Sequence, residues 1–280
     1  MRDRLADYLA VLGLTGCGEG ARLMSGQFHD VVLAGEVAYR FPRDEPSRRA
    51  LPAAASLLAA LGQAGLPVPV PLSAGPVPGP PGQCYLPLTR LAGGPLGPVN
   101  GQRAEQAVVT ELASLLDRLA GLGTDSPMQA LVPRAGPDQW TVFGRQVRDV
   151  LYPLMSGPGR RRADAELAAV AALVPSGTAL VHGDLGGANL LWTSPAALPK
   201  LSGVLDWDGA CIGDQASDLA SIAVTVGWPL AARIDGRRGG ARPLLADAEV
   251  IAATFALQQA LPAALSGDQV SLDDGLLSYR

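Results

Sequence analysis

The sequence predicts an α+β chain of two lobes, a small N-terminal lobe built on a sheet and a larger, mainly helical C-terminal lobe. Three observations carry this. Extended patterning fills residues 21–43 and returns at 84–91. Ala92-Gly93-Gly94-Pro95 then breaks the chain. After Gly97 the apolar spacing turns helical, interrupted by short apolar runs at 179–181, 190–192 and 202–205. The boundary drawn from this divides the chain into residues 1–91 and 92–280.

Each element follows from its own pattern. Leu5, Tyr8, Leu9 and Leu12 recur at helical spacing, so residues 2–13 read as an amphipathic helix. Leu14-Thr15-Gly16-Cys17 resembles a bacterial lipoprotein cleavage box. Asp3 and Asp7, however, stand where a signal peptide needs a basic start and an uncharged apolar stretch, which argues against export. Val31-Val32-Leu33 and Val37 to Phe41 flank Ala34-Gly35-Glu36, a hairpin turn. A helix follows from Pro46 or Pro52 to Leu61, with Pro52 opening or kinking it. Residues 62–82 are too rich in Pro and Gly to be mostly regular, and 84–91 read as a strand. Further helices are expected near 101–121, 138–154, 162–173, 214–226, 244–264 and 271–279.

Composition removes several function classes. At 280 residues and 48% hydrophobic, the chain can bury a proper core. A net charge of −4 argues against non-specific binding to nucleic acid or an anionic membrane, and is compatible with a cationic small substrate. No apolar run approaches the ~18–20 residues expected of a membrane span. The one lysine, Lys200, lies between Pro199 and Leu201, so there is no G-x-x-x-x-G-K-[ST] phosphate loop. The two histidines, His29 and His182, cannot form an H-E-x-x-H zinc site, and no G-x-S-x-G elbow exists. Cys17, Cys84 and Cys211 are scattered and odd in number, which fits a reducing cytoplasm. Gly16-x-Gly18-x-x-Ala21 mimics a dinucleotide fingerprint but lacks its strand and helix.

Chemistry concentrates in three segments. His182-Gly183-Asp184-Leu185-Gly186-Gly187-Ala188-Asn189 matches the kinase catalytic loop H-x-D-L-x-x-x-N, with Gly183 where protein kinases have Arg. A carboxylate there can take the proton of an attacking hydroxyl, and an amide oxygen further on can hold a phosphate-bridging metal. Val204-Leu205-Asp206-Trp207-Asp208 brings an acid to the end of an apolar strand, the setting of a metal-binding Asp. Val37-Ala38-Tyr39-Arg40 resembles the V-A-I-K strand of kinases, with Arg for Lys. A guanidinium is a competent phosphate partner, bidentate and always charged.

Together these segments resemble the aminoglycoside phosphotransferase family of kinase-like small-molecule kinases. That family carries H-G-D-L-x-x-x-N-[LI] and a later [ILV]-D-[WF]-[DE]-x-x-x-x-G-D-x-x-x-D-[LI]-A, which His182–Leu190 and Leu205–Ala220 repeat in order. Arg40-Phe41-Pro42-Arg43 repeats a third-strand variant of some relatives. Leu88 to Gly93 falls where such enzymes place the hinge that meets adenine. The resemblance implies a bilobal protein-kinase-like fold. It also implies ATP or GTP as co-substrate with Mg²⁺, and transfer of the γ-phosphate to a hydroxyl of an antibiotic or metabolite. By position, Asp184 is the base, Asn189 and Asp206 bind metal, and Arg40 contacts phosphate. Gly26 belongs to the glycine loop, and the backbone of Arg90 and Leu91 meets the nucleotide base.

The pattern is incomplete in three places. The small-lobe helix has no acid near Ala54 to pair with Arg40, and Glu45 lies too early. The glycine loop is reduced to Ser25-Gly26-Gln27-Phe28, and Gln215 replaces the usual Pro. The first two gaps motivate an alternative, a nucleotide-binding pseudoenzyme with a regulatory role. For the remaining polar residues, His182 is expected to tie the loop together, Asp208 to support the metal, and Asp214 and Asp218 to cap a helix or hold the loop backbone. His29 is expected to be incidental. Asp268, Asp273 and Asp274 read as a solvated helix start.

Overall fold

A computed structural model describes residues 4–14, 20–26, 28–80, 83–174, 177–194, 198–240 and 242–280. Thr15 to Glu19 and Gln27 lie outside these. So does the centre of the lipoprotein-like and dinucleotide-like strings.

In chain order the first elements are α1 (Arg4–Val11), β1 (Arg22–Ser25), β2 (His29–Ala34), β3 (Val37–Pro42), α2 (Glu45–Gln63), β4 (Val77–Pro78) and β5 (Cys84–Thr89). Then come α3 (Gln102–Leu122), α4 (Ser126–Gln129), α5 (Gln139–Val150), α6 (Gly157–Ala171), β6 (Ala179–Val181), β7 (Leu190–Thr193) and β8 (Lys200–Val204). The chain closes with β9 (Cys211–Gly213), α7 (Ala216–Val226), α8 (Trp228–Arg237), α9 (Leu245–Ala253), α10 (Phe255–Ser266) and α11 (Gln269–Gly275). They form two compact units. One is Met1–Val108 with Ala130–Val132 and Ala188–Gly209; the other is Val109–Gln129, Pro133–Gly187 and Ala210–Arg280.

The first unit holds an antiparallel sheet in the order β1-β2-β3-β5-β4. Its β2–β3 turn closes between Ala34 and Val37, with Gly35 at φ +57°, as a two-residue hairpin requires. α2 opens at Glu45, earlier than either proline suggested, because the Asp44 side chain accepts from Ser47 N–H at 2.8 Å. Pro46 then fits the first turn, and Pro52 sits inside the helix on its exposed side. Leu51, Ala55, Leu58 and Leu61 recur at helical spacing and are buried. A second hairpin, β7–β8, pairs Leu190 with Val204 and carries a bulge between Leu191 and Trp192.

The second unit is helical around the short antiparallel pair β6–β9. Val147, Leu151, Leu167, Leu257, Leu276 and Tyr279 form one core cluster. The chain end is fastened to it. The Tyr279 hydroxyl donates to Glu166 at 2.5 Å, the Arg162 guanidinium lies 4.9 Å over the Tyr279 ring, and Ser156 N–H donates to the Tyr279 carbonyl. α6 begins at Gly157 rather than at 162. Ser156 caps it by accepting from Gly159 N–H at 3.1 Å, and two glycines and a proline disguise the start. β9 and α8 were not expected. The run at 244–264 is two helices, α9 and α10, meeting at Thr254, whose hydroxyl donates to the Ile251 carbonyl. Contrary to expectation, Leu245–Ser266 is long and apolar enough by composition to cross a membrane; Ala248, Ile251, Leu257, Ala260 and Leu261 of this run are buried within the unit.

Candidate active site

In the first unit the chemistry gathers on Arg40. Val31 pairs with Arg40 and His29 with Pro42, so His29 and Arg40 stand diagonally on one face of the sheet. The Arg40 side chain is only 10% exposed. Its Nη2 meets His29 Nδ1 at 3.0 Å, pairs with Asp208, and lies 3.6 Å from Asp206 Oδ1. His29 Nδ1 is itself 3.4 Å from Asp208 Oδ2. Burial, then the Arg40 charge, lowers the His29 pKa to about 4, outweighing the pull of Asp208. The neutral ring therefore accepts a hydrogen bond from Arg40 through Nδ1.

Asp206 has φ +60° and, among the described residues, is the one non-glycine in the left-handed region. Aspartate tolerates that region better than most residues, and its neighbours hold it there. Val204 N–H donates to Pro67 at 2.7 Å, Leu205 N–H to Asn189 at 2.8 Å, and the buried Trp207 indole N–H to Val204 at 3.1 Å. The Leu205–Asn189 bond ties the backbones of the two oxygen-bearing segments together. Their donor set is a carboxylate and an amide oxygen, both hard ligands. Among the described residues no group of three or more His, Cys, Asp or Glu could hold a metal. Mg²⁺ suits such a site, since it takes one or two carboxylates and fills the remainder with water and substrate phosphates.

The other nucleotide-side candidates lie elsewhere in this unit. Gly26 closes the β1–β2 connection: its N–H donates to His29 at 2.8 Å and its carbonyl accepts from Arg43 at 2.5 Å. A Cβ at Gly26 would stand 3.2 Å from the His29 carbonyl oxygen. Arg90 is bound to the β2–β3 turn, N–H to Glu36 at 2.9 Å and Nη1 to Gly35 at 3.0 Å. The Leu91 side chain occupies room left by Gly203, where a Cβ would lie 2.8 Å from Leu91 Cδ1.

The second unit holds Asp184, exposed, behind a buried brace. The Asp218 carboxylate accepts from His182 N–H at 2.9 Å and from Gly183 N–H at 3.0 Å. Asp184 N–H then donates to His182 Nδ1 at 3.2 Å. Gly183 takes φ +88°, so the absence of a side chain where protein kinases have Arg has a backbone reason. Gly187 N–H donates to the Thr225 hydroxyl at 2.8 Å, and a Cβ there would press to 2.6 Å from Thr225 Cγ2. Burial pushes the Asp218 pKa up against the lowering effect of His182 and the two N–H groups. Asp214 caps α7 through Ala216 N–H. A cavity of about 210 Å³, bounded by Arg134, Trp140, Asp214 and Ile251, is not lined by Asp184.

The model of a phosphotransferase enzyme family matches residues 23–262, from within β1 through the 182–189 and 204–208 segments. The chain belongs to the phosphotransferase enzyme family. It is 41% identical to viomycin phosphotransferase of Streptomyces vinaceus over 266 residues, 93% of each chain. In fold it is similar to the GDP complex of aminoglycoside 2′-phosphotransferase-IIIa, with TM-score 0.82 and 18% identity, covering 98% of this chain and 97% of that one. It is likewise similar to macrolide 2′-phosphotransferase from Brachybacterium faecium, with TM-score 0.71 and 20% identity, covering 98% of each. These structures bear out the kinase-like α+β fold.

The geometry of this phosphotransferase agrees with the reading of Glu45, overturns that of His29 and gives Gln215 a role. Glu45 is taken up by Arg48 and Arg49 at the surface, at 3.5 and 3.7 Å, while Arg40 finds its acid in Asp208. His29 is not incidental, since it contacts both members of that pair. Gln215 is buried and joins two segments, donating to the Leu116 carbonyl at 2.6 Å and accepting from Arg238 at 3.0 Å. His182 and Asp218 hold the loop as expected.

Proposed function

We propose that this enzyme transfers the γ-phosphate of ATP or GTP to a hydroxyl of an antibiotic of the viomycin type. The single observation that carries the acceptor class is the 41% identity to a viomycin phosphotransferase across 93% of both chains. The neighbouring structures that are GDP complexes support a nucleoside triphosphate as co-substrate. In this reading the lobe of residues 1–91 handles nucleotide, and 92–280 carries catalysis and acceptor binding. A cytoplasmic setting suits the free thiols Cys84 and Cys211. No nucleic acid or membrane partner is invoked.

Each residue has a defined task. Asp184 receives the proton of the acceptor hydroxyl, with its backbone held by His182 and, through His182, by Asp218. Arg40 contacts phosphate oxygens with a permanent positive charge. Arg90 N–H is spent on Glu36, so its carbonyl and the Leu91 N–H are the groups left for a base edge. Asn189 and Asp206 would hold Mg²⁺, which neutralises phosphate charge when bound. Gly26 lets the β1–β2 turn close beside His29.

The test is a transfer screen with MgATP and MgGTP over viomycin, aminoglycosides, macrolides and common hydroxyl metabolites, read by gain of one phosphoryl mass. Viomycin is expected to be modified. Modification of another antibiotic alone would overturn the acceptor, and nucleotide binding without transfer to any would overturn the catalytic reading in favour of the pseudoenzyme.

A further inference from the structure

An arginine that serves a phosphate must itself be held. Its side chain is long, and a freely rotating guanidinium loses conformational entropy each time nucleotide binds. The helix acid that would ordinarily hold it is missing, since α2 has Ala53, Ala54 and Ala55 in that region and its Glu45 is engaged at the surface. Arg40 is nevertheless almost wholly buried, and two side chains from outside α2 hydrogen-bond its Nη2, Asp208 and His29, with Asp206 Oδ1 farther off at 3.6 Å.

We infer that His29 is a positioning residue for Arg40: with Asp208 it holds the guanidinium in place of the absent helix acid, setting its aim toward phosphate. The inference rests on the phosphate role proposed for Arg40. Its logic is a division of labour. Nη2 carries two hydrogens, and Asp208 and His29 Nδ1 account for both. The hydrogens of Nη1 and Nε are then the donors left for phosphate oxygens. Asp208 supplies the counter-charge that makes burying a cation tolerable. Asp206 already lies 3.6 Å from the same Nη2, and a further carboxylate at position 29 would offset still more of the charge needed for phosphate. A neutral imidazole holds the same group and leaves that charge in place. The ring is placed by backbone as well: His29 sits opposite Pro42 in the β2–β3 ladder, and its carbonyl accepts from Gly26 N–H at 2.8 Å. The β2–β3 ladder thus sets His29 beside Arg40, and the Gly26 N–H fastens its backbone.

The test measures MgATP and adenosine affinity by calorimetry, which needs no acceptor, for His29→Phe, His29→Asn, Arg40→Met and the His29→Phe/Arg40→Met double variant. His29→Phe keeps the ring and removes the acceptor; it should weaken MgATP roughly three- to tenfold, part of the value of a hydrogen bond to a charged group, and leave adenosine unchanged. His29→Asn should stay within about twofold of the parent, because its Oδ1 can fall near the former Nδ1 position. In the Arg40→Met background, His29→Phe should have no further effect, the signature of one residue acting through another. Equal loss for adenosine, additive losses in the double variant, or undiminished MgATP binding by His29→Phe would each overturn the inference. Arg40→Met with parental MgATP affinity would instead remove the phosphate role of Arg40, and this inference with it. Should His29→Phe not fold, His29→Leu carries the same comparison.

Discussion

The brace behind the catalytic loop can be broken with one atom exchanged. Asp218→Asn preserves shape, but the two backbone N–H groups meet different carboxylate oxygens, so the amide oxygen faces only one of them. The amide NH₂ then faces the other N–H, donor against donor. A hydrogen bond to a charged group contributes about 1.5–3 kcal/mol, and a buried donor left unmet costs about 1–3 kcal/mol. Burial already disfavours the Asp218 charge, which returns part of that loss. A net destabilisation of about 2–4 kcal/mol is expected, and more for Asp218→Ala, which strands both N–H groups. The functional loss should exceed the stability loss. Asp184 directly follows the clamped His182–Gly183 pair and leans on His182 through its own N–H at 3.2 Å, so slack at 182–183 moves Asp184, the proposed base. A displacement near 1 Å costs on the order of 10²-fold in rate. The assay is thermal unfolding alongside single-turnover transfer to a proven acceptor below the unfolding range. Transfer by Asp218→Asn within about threefold of the parent, or only ~0.65 kcal/mol of barrier, would show that the brace stabilises the fold without aiming Asp184.

Other expectations follow from separate parts of the molecule. Asp184→Asn keeps size and loses the proton-accepting charge, so single-turnover transfer should fall ~10²–10⁴-fold while MgATP affinity by calorimetry changes little. Gly159→Ala would bring a Cβ within 2.6 Å of the Tyr279 carbonyl carbon, so it should lower the unfolding midpoint by an amount typical of overpacking, about 1–3 kcal/mol, measured by denaturant titration. Burial and the Arg40 charge lower the His29 pKa from its ordinary 6.5 to about 4 in the fold. The unfolded chain therefore binds the proton more tightly, and stability should decline as pH falls from about 6.5 toward 4, by at most about 3 kcal/mol from this group. His29→Asn should flatten that part of a pH–stability profile.

What was readable in the sequence was local. The catalytic loop, the metal segment, the β2–β3 hairpin and most helices each lie within one short stretch, where periodicity, turn residues and motif spacing act directly. The start of α6 was hidden because Gly157, Pro158 and Gly159 look like a break, although Ser156 caps a helix there. β9 is three residues long, too short for a pattern to show. The partners of the chemical groups were not readable at all. Arg40 and Asp208 are 168 positions apart, and the Asp218 clamp reaches back 36 positions to His182. Such pairs leave no periodic trace, because a side chain's partner is decided by which segments pack together. The sequence by itself determined that Asp184, Asn189, Asp206 and Arg40 are present in kinase-like order. Only the tertiary structure decided that Arg40 is held by Asp208 and His29 rather than by α2, because a buried guanidinium must be satisfied by whatever acceptors the packing brings within reach.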